Sequence, residues 1–225
     1  MKWLFESRKR FGLCVLNYTV TSNHIHLLVE GFEDETVIPR SMQLVAGKTA
    51  QAYNLAKGRR GAFWEDRYHA TAVQRGSHPR SCMFYVDLNM VRAGVVHHPG
   101  EWKTGGFHEL LCPRERYGVI CHEAVHRLLD VSSQEELSCS YRQWLDDVLA
   151  MDRAVRQDYW TESLAVGDTG FVSEVKEQLG IRASRRSINK CVSGPTVLRE
   201  EAVEYGGIAD ESRLLGRCLE LPFEA

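Results

Sequence analysis

The sequence lacks the features of a membrane, secreted or repeat protein. No apolar run approaches the roughly 18 residues that a membrane-spanning helix needs, and the N-terminus turns basic before an apolar signal core could form. The seven cysteines are odd in number and include no Cys-X-X-Cys pair, which favours reduced thiols over a disulfide framework. We therefore expect a cytoplasmic protein with no membrane partner.

A strong net charge is also lacking. The 28 Lys and Arg residues nearly balance the 30 Asp and Glu residues, which gives a formal charge of −2. Overall charge therefore does not mark a nucleic-acid binder. Local clusters are more informative, and they predict either a charge-segregated surface or ordinary solvated helix faces. The basic clusters lie at 8–10, 57–60 and 182–186, and the acidic ones at 134–136 and 146–147.

The most informative stretch is a strand pattern that contains two histidines. His24 and His26 share one face and the apolar residues Ile25, Leu27 and Val29 share the other, because successive strand side chains point to opposite faces. The two histidine Cα atoms are expected roughly 6.6 Å apart, at about 3.3 Å per residue, so both imidazoles could reach one divalent cation. Alone, a His-X-His pattern fits chance as well as it fits a metal site.

Helical patterns surround this strand. A short helix is predicted over 3–11, a strand over 13–20 and an amphipathic helix from Pro39 to Ala56. A further helix, from Pro79 to Ala93, carries a core face and beside it a stripe at the same spacing. The stripe consists of Tyr85, Asn89 and Arg92. A phenol, an amide and a guanidinium one turn apart suit a functional site better than a core.

The histidine strand and the tyrosine stripe together suggest chemistry on a phosphodiester. A tyrosine hydroxyl, with a pKa of about 10, is a weak nucleophile, but a divalent metal that polarises the phosphate makes its attack feasible. The product would be a phosphotyrosine link. Asn89 can supply an oxygen as a third metal ligand.

Basic and aromatic residues alternate over 62–73, where we predict a strand or hairpin. Such a surface suits DNA, because phosphates pair with cations and bases stack on rings, although stacked core aromatics give the same pattern. The candidate DNA-binding residues are Arg59, Arg60, Trp64, Arg67 and Arg92.

Three segments, in this order, resemble the signatures of single-tyrosine HUH transposases, particularly the REP-associated tyrosine transposases. They are Ser-Asn-His-Ile-His-Leu-Leu-Val (22–29), Phe-Trp-Glu-Asp-Arg-Tyr-His (63–69) and Tyr-Val-Asp-Leu-Asn-Met-Val-Arg-Ala-Gly-Val-Val (85–96). The resemblance covers about residues 3–112. It implies His24 and His26 as the metal-binding pair for Mg²⁺ or Mn²⁺, Tyr85 as the nucleophile and Asn89 as the third ligand.

The resemblance also implies the fold and the partner. We expect an α+β protein with a ferredoxin-like antiparallel sheet and packed helices, which cleaves single-stranded DNA near a hairpin and is compatible with a homodimer. The transposase domain is placed at 1–112 and a mainly helical accessory region at 113–225, because composition changes to loop between about 100 and 116.

Two departures from the family pattern stand out. Only about twenty residues precede the histidine strand, where family members usually begin with a further strand. A sheet without that strand would expose an edge. Met90 also stands where proline is common, a change that suits a helix.

Three other functions fit parts of the sequence. The first is a remnant of such a transposase, inactive or domesticated, which still binds DNA. The second is a zinc metallopeptidase, because His122-Glu123-Ala124-Val125-His126 matches His-Glu-X-X-His. The third is a histidine-triad nucleotide hydrolase, which would need a third histidine where the sequence has Leu28.

Overall fold

The computed structural model describes residues 1–31, 34–64, 67–151, 157–191 and 194–200. The helices are α1 (Lys2–Phe11), α2 (Val37–Lys57), α3 (Ser77–Asp87), α4 (Asn89–Arg92), α5 (Phe107–Leu111), α6 (His122–Leu129), α7 (Gln134–Ala150), α8 (Tyr159–Glu162) and α9 (Thr169–Leu179). The strands are β1 (Val15–Val20), β2 (Ile25–Val29), β3 (Ala72–Val73), β4 (Ala165–Gly167), β5 (Arg186–Lys190) and β6 (Thr196–Glu200). The predicted α+β class is confirmed.

The described residues form two compact units. The first contains 1–68 and 82–151, and the second contains 69–81 and 157–200. The boundary after residue 112 was predicted from a change in sequence composition, whereas these units are defined by spatial compactness. It stays a prediction.

In the first unit, α1 and α2 pack together beside the antiparallel pair β1–β2. Helix α1 ends at Gly12, whose φ of 74° is a left-handed conformation that favours glycine, and the Gly12 N–H bonds back to the Arg8 carbonyl. Ser7 and Ser41 are buried where the two helices meet, and the Ser7 hydroxyl donates to the Ser41 carbonyl at 3.3 Å. The predicted order helix, strand, strand, helix is therefore confirmed.

The edge of β1 that does not pair with β2 is covered, so the prediction of an exposed edge is wrong. The Val20 N–H donates to the Thr104 carbonyl at 3.0 Å, and the Gly106 N–H donates to the Tyr18 carbonyl at 2.7 Å. Further along, the Cys121 N–H donates to the Val15 carbonyl at 2.8 Å. Segments 104–106 and 119–121 thus take the hydrogen-bonding positions that a neighbouring strand would fill.

Two charged side chains hold the segment at 118–120 against β1. Arg8 donates to the carbonyls of Gly118 and Ile120 at 3.1 and 2.9 Å. The buried Glu109 carboxylate accepts from the backbone N–H groups of Val119 and Ile120, as well as from the Tyr18 hydroxyl at 3.0 Å. These charge-assisted bonds fix a segment that has no regular secondary structure of its own.

The second unit is a small sheet with a helix on it. Its strand order is β3-β4-β6-β5, with β3 and β4 parallel and the other neighbours antiparallel. Helix α9 packs through Val172 onto Ala165 and Leu198, with Ala183 in the same buried cluster. Strands β4, β5 and β6 were not predicted from the sequence. The strand or hairpin predicted over 62–73 is a strand only at Ala72–Val73 among the residues described there, and 65–66 lie outside them.

Two further observations concern the cysteines and the helices. Six cysteines lie in the described residues and all are free thiols: Cys14, Cys82, Cys112, Cys121, Cys139 and Cys191. Within the described ranges, no helix combines the length and apolar character that crossing a membrane requires.

Candidate active site

A tight turn between β1 and β2 positions the two histidines. Thr21 accepts from the His24 N–H at 3.0 Å through its hydroxyl, and its own N–H donates to the His24 carbonyl at 2.9 Å. The imidazoles of His24 and His26 lie with their ring centroids 4.7 Å apart and nearly perpendicular, at 87°. The strand therefore presents two imidazoles as a pair, as its pattern predicted.

Each imidazole is oriented by an asparagine. Nδ1 of His24 donates to Oδ1 of Asn23 at 2.8 Å. His26, only 8% exposed, faces Asn89, with 2.8 Å between its Nε2 and the amide Nδ2. If the amide donates in this contact, Nε2 of His26 presents the lone pair that a metal ion would use. Rotation of the Asn89 amide would present its oxygen from the same position.

The helix predicted over 79–93 is interrupted at Leu88. Helix α3 ends at Asp87 and α4 begins at Asn89, with Leu88 at φ −77° and ψ 2° between them. Backbone hydrogen bonds still run from Leu88 to Phe84 and from Arg92 to Leu88, both at 2.9 Å. The helical path therefore continues across Leu88, and the stripe of Tyr85, Asn89 and Arg92 is kept.

Tyr85 and Asn89 meet at His26. The Tyr85 ring centroid lies 6.2 Å from that of His26, and the Asn89 amide is in direct contact with it. The structure thus brings together four residues that the sequence placed on two separate elements: His24, His26, Tyr85 and Asn89.

Arg92 covers the tyrosine. Its guanidinium carbon lies 4.0 Å from the Tyr85 ring centroid, and its Nη2 donates to the Tyr85 carbonyl at 2.7 Å. Tyr85 is 7% exposed. The predicted contact of Arg92 with phosphate stays a prediction.

A comparison with known families agrees with this geometry. Residues 2–87 match the family described as "Transposase IS200 like". The match supports a transposase of the single-tyrosine HUH type, and hence a transposase-like function with DNA as the partner. It spans less than half of the 225 residues and ends before Asn89 and Arg92. The REP-associated subfamily stays a prediction. No curated protein and no solved structure matches the chain.

Strand β1 anchors the tyrosine helix of this IS200-like segment. Asn17 and Thr19 are buried polar residues in the strand. The Asn17 amide donates to the Met83 carbonyl at 3.1 Å, and the Thr19 hydroxyl donates to the Val86 carbonyl at 2.8 Å. The sequence analysis did not single out these residues, although two polar side chains inside an apolar strand were a visible signal.

Asp87 was also missed, and it is buried two residues after the tyrosine. It accepts from the Tyr141 hydroxyl at 2.6 Å. Burial raises the pKa of Asp87 to about 7, and the hydrogen bonds from Tyr141 and Asn17 oppose the rise. The helix that carries Tyr85 therefore rests on a carboxyl group that burial keeps protonated in mildly acidic solution.

The remaining DNA-binding candidates follow α2 in the sequence. Arg59 and Arg60 are exposed just after the helix, and the Arg59 guanidinium lies 5.7 Å from the Tyr53 ring centroid. Trp64 is half-buried and donates through Nε1 to the Ala46 carbonyl at 2.9 Å, while Arg67 is exposed. Their roles on DNA stay predictions.

The structure gives no support to a zinc peptidase site. The rings of His122 and His126 lie 6.4 Å apart, and Nε2 of His126 lies 3.4 Å from the Gln134 amide oxygen. Among the described residues, no group of three or more His, Cys, Asp or Glu side chains could hold a metal ion. The candidate site of His24, His26 and Asn89 is outside this definition, because its third ligand is an asparagine amide.

Proposed function

We propose that this chain cleaves and rejoins single-stranded or hairpin DNA through a covalent phosphotyrosine intermediate on Tyr85. One observation carries the proposal: His26 lies 6.2 Å from the Tyr85 ring and 2.8 Å from the Asn89 amide. The two proposed metal ligands, His26 and Asn89, therefore neighbour the proposed nucleophile Tyr85. His26 and Tyr85 lie within residues 2–87, which match the IS200-like transposase family, and Asn89 lies two residues beyond them.

The donor set fits a divalent cation, which we propose to be Mg²⁺ or Mn²⁺. His24 and His26 would hold it through ring nitrogens and Asn89 through its amide oxygen, leaving positions for substrate phosphate oxygens. When bound, the cation would polarise the scissile phosphodiester and offset its negative charge.

Tyr85 performs the covalent step. Its phenolic oxygen attacks the phosphorus and forms a Tyr–O–P bond, while the bond from phosphorus to one deoxyribose oxygen breaks. That oxygen takes up one proton, in balance with the proton that Tyr85 releases, and leaves as a free hydroxyl. A DNA hydroxyl that later attacks the same phosphorus restores the phosphodiester and frees the tyrosine. The Arg92 guanidinium stabilises the phenolate as Tyr85 loses its proton.

The DNA would be bound by the basic and aromatic side chains near α2. Arg59, Arg60 and Arg67 would contact phosphates, and Trp64 would offer part of a ring to a base. A homodimer and a cytoplasmic location belong to the same proposal.

A covalent adduct tests this function. The full chain is incubated with labelled hairpin-bearing single-stranded DNA and Mn²⁺, then denatured and run on a gel. We expect an adduct that chelator prevents and Tyr85→Phe abolishes. Tyr117→Phe is the matched control, because Tyr117 is 71% exposed in a loop outside this site, and it should form the adduct normally. An adduct that survives Tyr85→Phe would overturn the assignment.

The burial of Tyr85 favours one second candidate, a protein that binds DNA without cleaving it. At 7% exposure and beneath Arg92, the phenol has to become accessible before it can attack. Binding of the same hairpin with no adduct at any Mn²⁺ concentration would establish this candidate instead.

A further inference from the structure

One segment of the second unit carries a local excess of positive charge. From residue 178 to residue 199 the sequence has five Lys and Arg residues and no Asp or Glu, whereas the whole chain has a formal charge of −2. The five cations lie on the 3₁₀ turn Gly180–Ala183, at Arg185 just before β5, on β5 and on β6.

Two of the five cations are used inside the unit. Nη2 of Arg186 pairs with Oε1 of Glu200 at 2.7 Å. Nη2 of Arg199 pairs with Oδ1 of Asp158, also at 2.7 Å, and its Nε donates to the Ser163 hydroxyl. Both guanidinium groups therefore already have carboxylate partners within the unit.

The other three cations, Arg182, Arg185 and Lys190, are exposed. Within the described part of the chain, no side chain forms an ion pair with Arg182, Arg185 or Lys190. All three side chains are exposed to solvent, where they can contact an anionic partner.

The backbone beneath them is held in place. Ala183 is fully buried in the core under α9, and Ile188 of β5 packs against the same core. Ile181, in the same turn as Arg182, is nevertheless 91% exposed. A fixed turn thus presents a large apolar side chain next to an exposed positive charge in the sequence.

We propose that Ile181, Arg182, Arg185 and Lys190 form a second DNA-contact surface, which binds the phosphate backbone outside the tyrosine site. Arg182, Arg185 and Lys190 contact phosphates, and Ile181 contacts a sugar or base. This surface lies beyond the residues that match the transposase family. The proposal rests on the proposed function only in taking DNA as the partner.

The spacing of the cations fits a nucleic-acid strand. Arg185 immediately precedes β5, and Lys190 is its last residue. Their Cα atoms are about 17 Å apart, at about 3.3 Å per residue. Phosphates recur about every 3.4 Å of helix axis along one strand of duplex DNA. In the proposed complex, cations this far apart would contact separate phosphates, and each contact should release counterions.

The salt dependence of binding tests the surface. The dissociation constant of the full chain for a labelled DNA hairpin with single-stranded flanks is measured over a range of KCl concentrations. In Arg182→Gln/Arg185→Gln/Lys190→Gln the slope of log K against log[KCl] should fall by about 2 to 3, since each phosphate contact contributes about 0.7 to 0.9. A slope equal to that of the unmutated chain would overturn the proposal.

A charge-matched variant separates this surface from a general effect of charge. Lys9→Gln/Lys103→Gln/Arg142→Gln removes the same charge from exposed positions of the first unit, and it should keep the slope. Arg182→Lys/Arg185→Lys should also keep it, because the charges remain. If the control triple lowers the slope as much, the surface has no special role and the proposal is wrong.

Ile181→Ser gives an independent readout. It should weaken binding by a similar factor at every salt concentration and leave the slope unchanged, because no charge is lost. Unchanged affinity would remove Ile181 from the surface and contradict the proposal. At saturating DNA the triple Gln variant should still form the Tyr85 adduct. A missing adduct in the unmutated chain would therefore count against the proposed function and leave the slope comparison intact.

Discussion

The Tyr141 hydroxyl donates to the Asp87 carboxyl group at 2.6 Å, which ties α7 to the helix that carries Tyr85. Both side chains are buried, at 0% and 4% exposure. Fifty-four positions separate them in the sequence. The support of the tyrosine helix thus comes partly from a helix in the second half of the chain.

Tyr141→Phe should destabilise the protein by about 1 to 3 kcal/mol, because it leaves a buried carboxyl group without its hydroxyl partner. The free energy of unfolding is measured by denaturant titration at pH 7. Tyr117→Phe, at an exposed ring, should change it by less than about 0.5 kcal/mol. Equal effects of the two substitutions would show that the hydrogen bond to Asp87 adds nothing.

Asp87 should make stability fall as pH rises. Its pKa is about 7 in the folded protein, whereas the ordinary value for an aspartate side chain is 3.8. Between these values the folded state holds a proton that the unfolded state has lost, so the free energy of unfolding decreases with pH. The stabilisation is complete below about pH 4 and is lost as pH rises through about 7.

Asp87→Asn tests this dependence, because an amide does not titrate in that range. Denaturant titrations at pH 5 and pH 8 should show a smaller loss of stability in Asp87→Asn than in the unmutated chain. His122 is unchanged in both proteins, and its lowered pKa, caused mainly by burial, acts in the opposite direction with pH. Parallel pH profiles for the two proteins would contradict the raised pKa of Asp87.

Gly106→Ala should destabilise the first unit by about 1 to 3 kcal/mol. A Cβ at Gly106 would collide with the Asn17 side chain and lie 3.1 Å from the Tyr18 nitrogen, which would push residues 104–106 away from β1. Gly47→Ala is the control. It lies in α2 with no heavy atom within 4 Å of the added Cβ, so it should be neutral or stabilising. The melting temperature should fall in Gly106→Ala and should stay the same or rise in Gly47→Ala.

A chain that ends at residue 112 should lose cooperative unfolding. It lacks residues 119–121, which cover part of the β1 edge, and Tyr141, which supports Asp87. The exposed edge should also promote aggregation. Thermal unfolding and sedimentation measure both effects. A monomeric fragment with a sharp transition would show instead that the predicted domain folds alone.

Asn89→Ala should raise the Mn²⁺ concentration needed for half of the maximal adduct by about tenfold or more, because a metal ligand is lost. Asn89→Asp keeps an oxygen in the same place and should shift it far less. Adduct formation across a Mn²⁺ titration measures both. Identical curves for Asn89→Ala and the unmutated chain would remove Asn89 from the ligand set.

The local patterns of the site were encoded in the sequence. Two histidines at strand spacing and a tyrosine and an asparagine at helix spacing are short-range regularities, and the backbone period alone decides which side chains share a face. The helix boundaries around them followed for the same reason, except at Leu88, where a local break in the helix leaves no mark in the periodicity.

The tertiary structure decided the contacts between distant parts of the chain. No periodicity could show that Arg92 lies on the Tyr85 ring, that residues 104–106 and 119–121 cover the edge of β1, or that Tyr141 reaches Asp87. Buried polar groups need hydrogen-bond partners, but which partner they find depends on how the elements pack. The sequence therefore determined the members of the candidate site, and packing determined what surrounds and supports them.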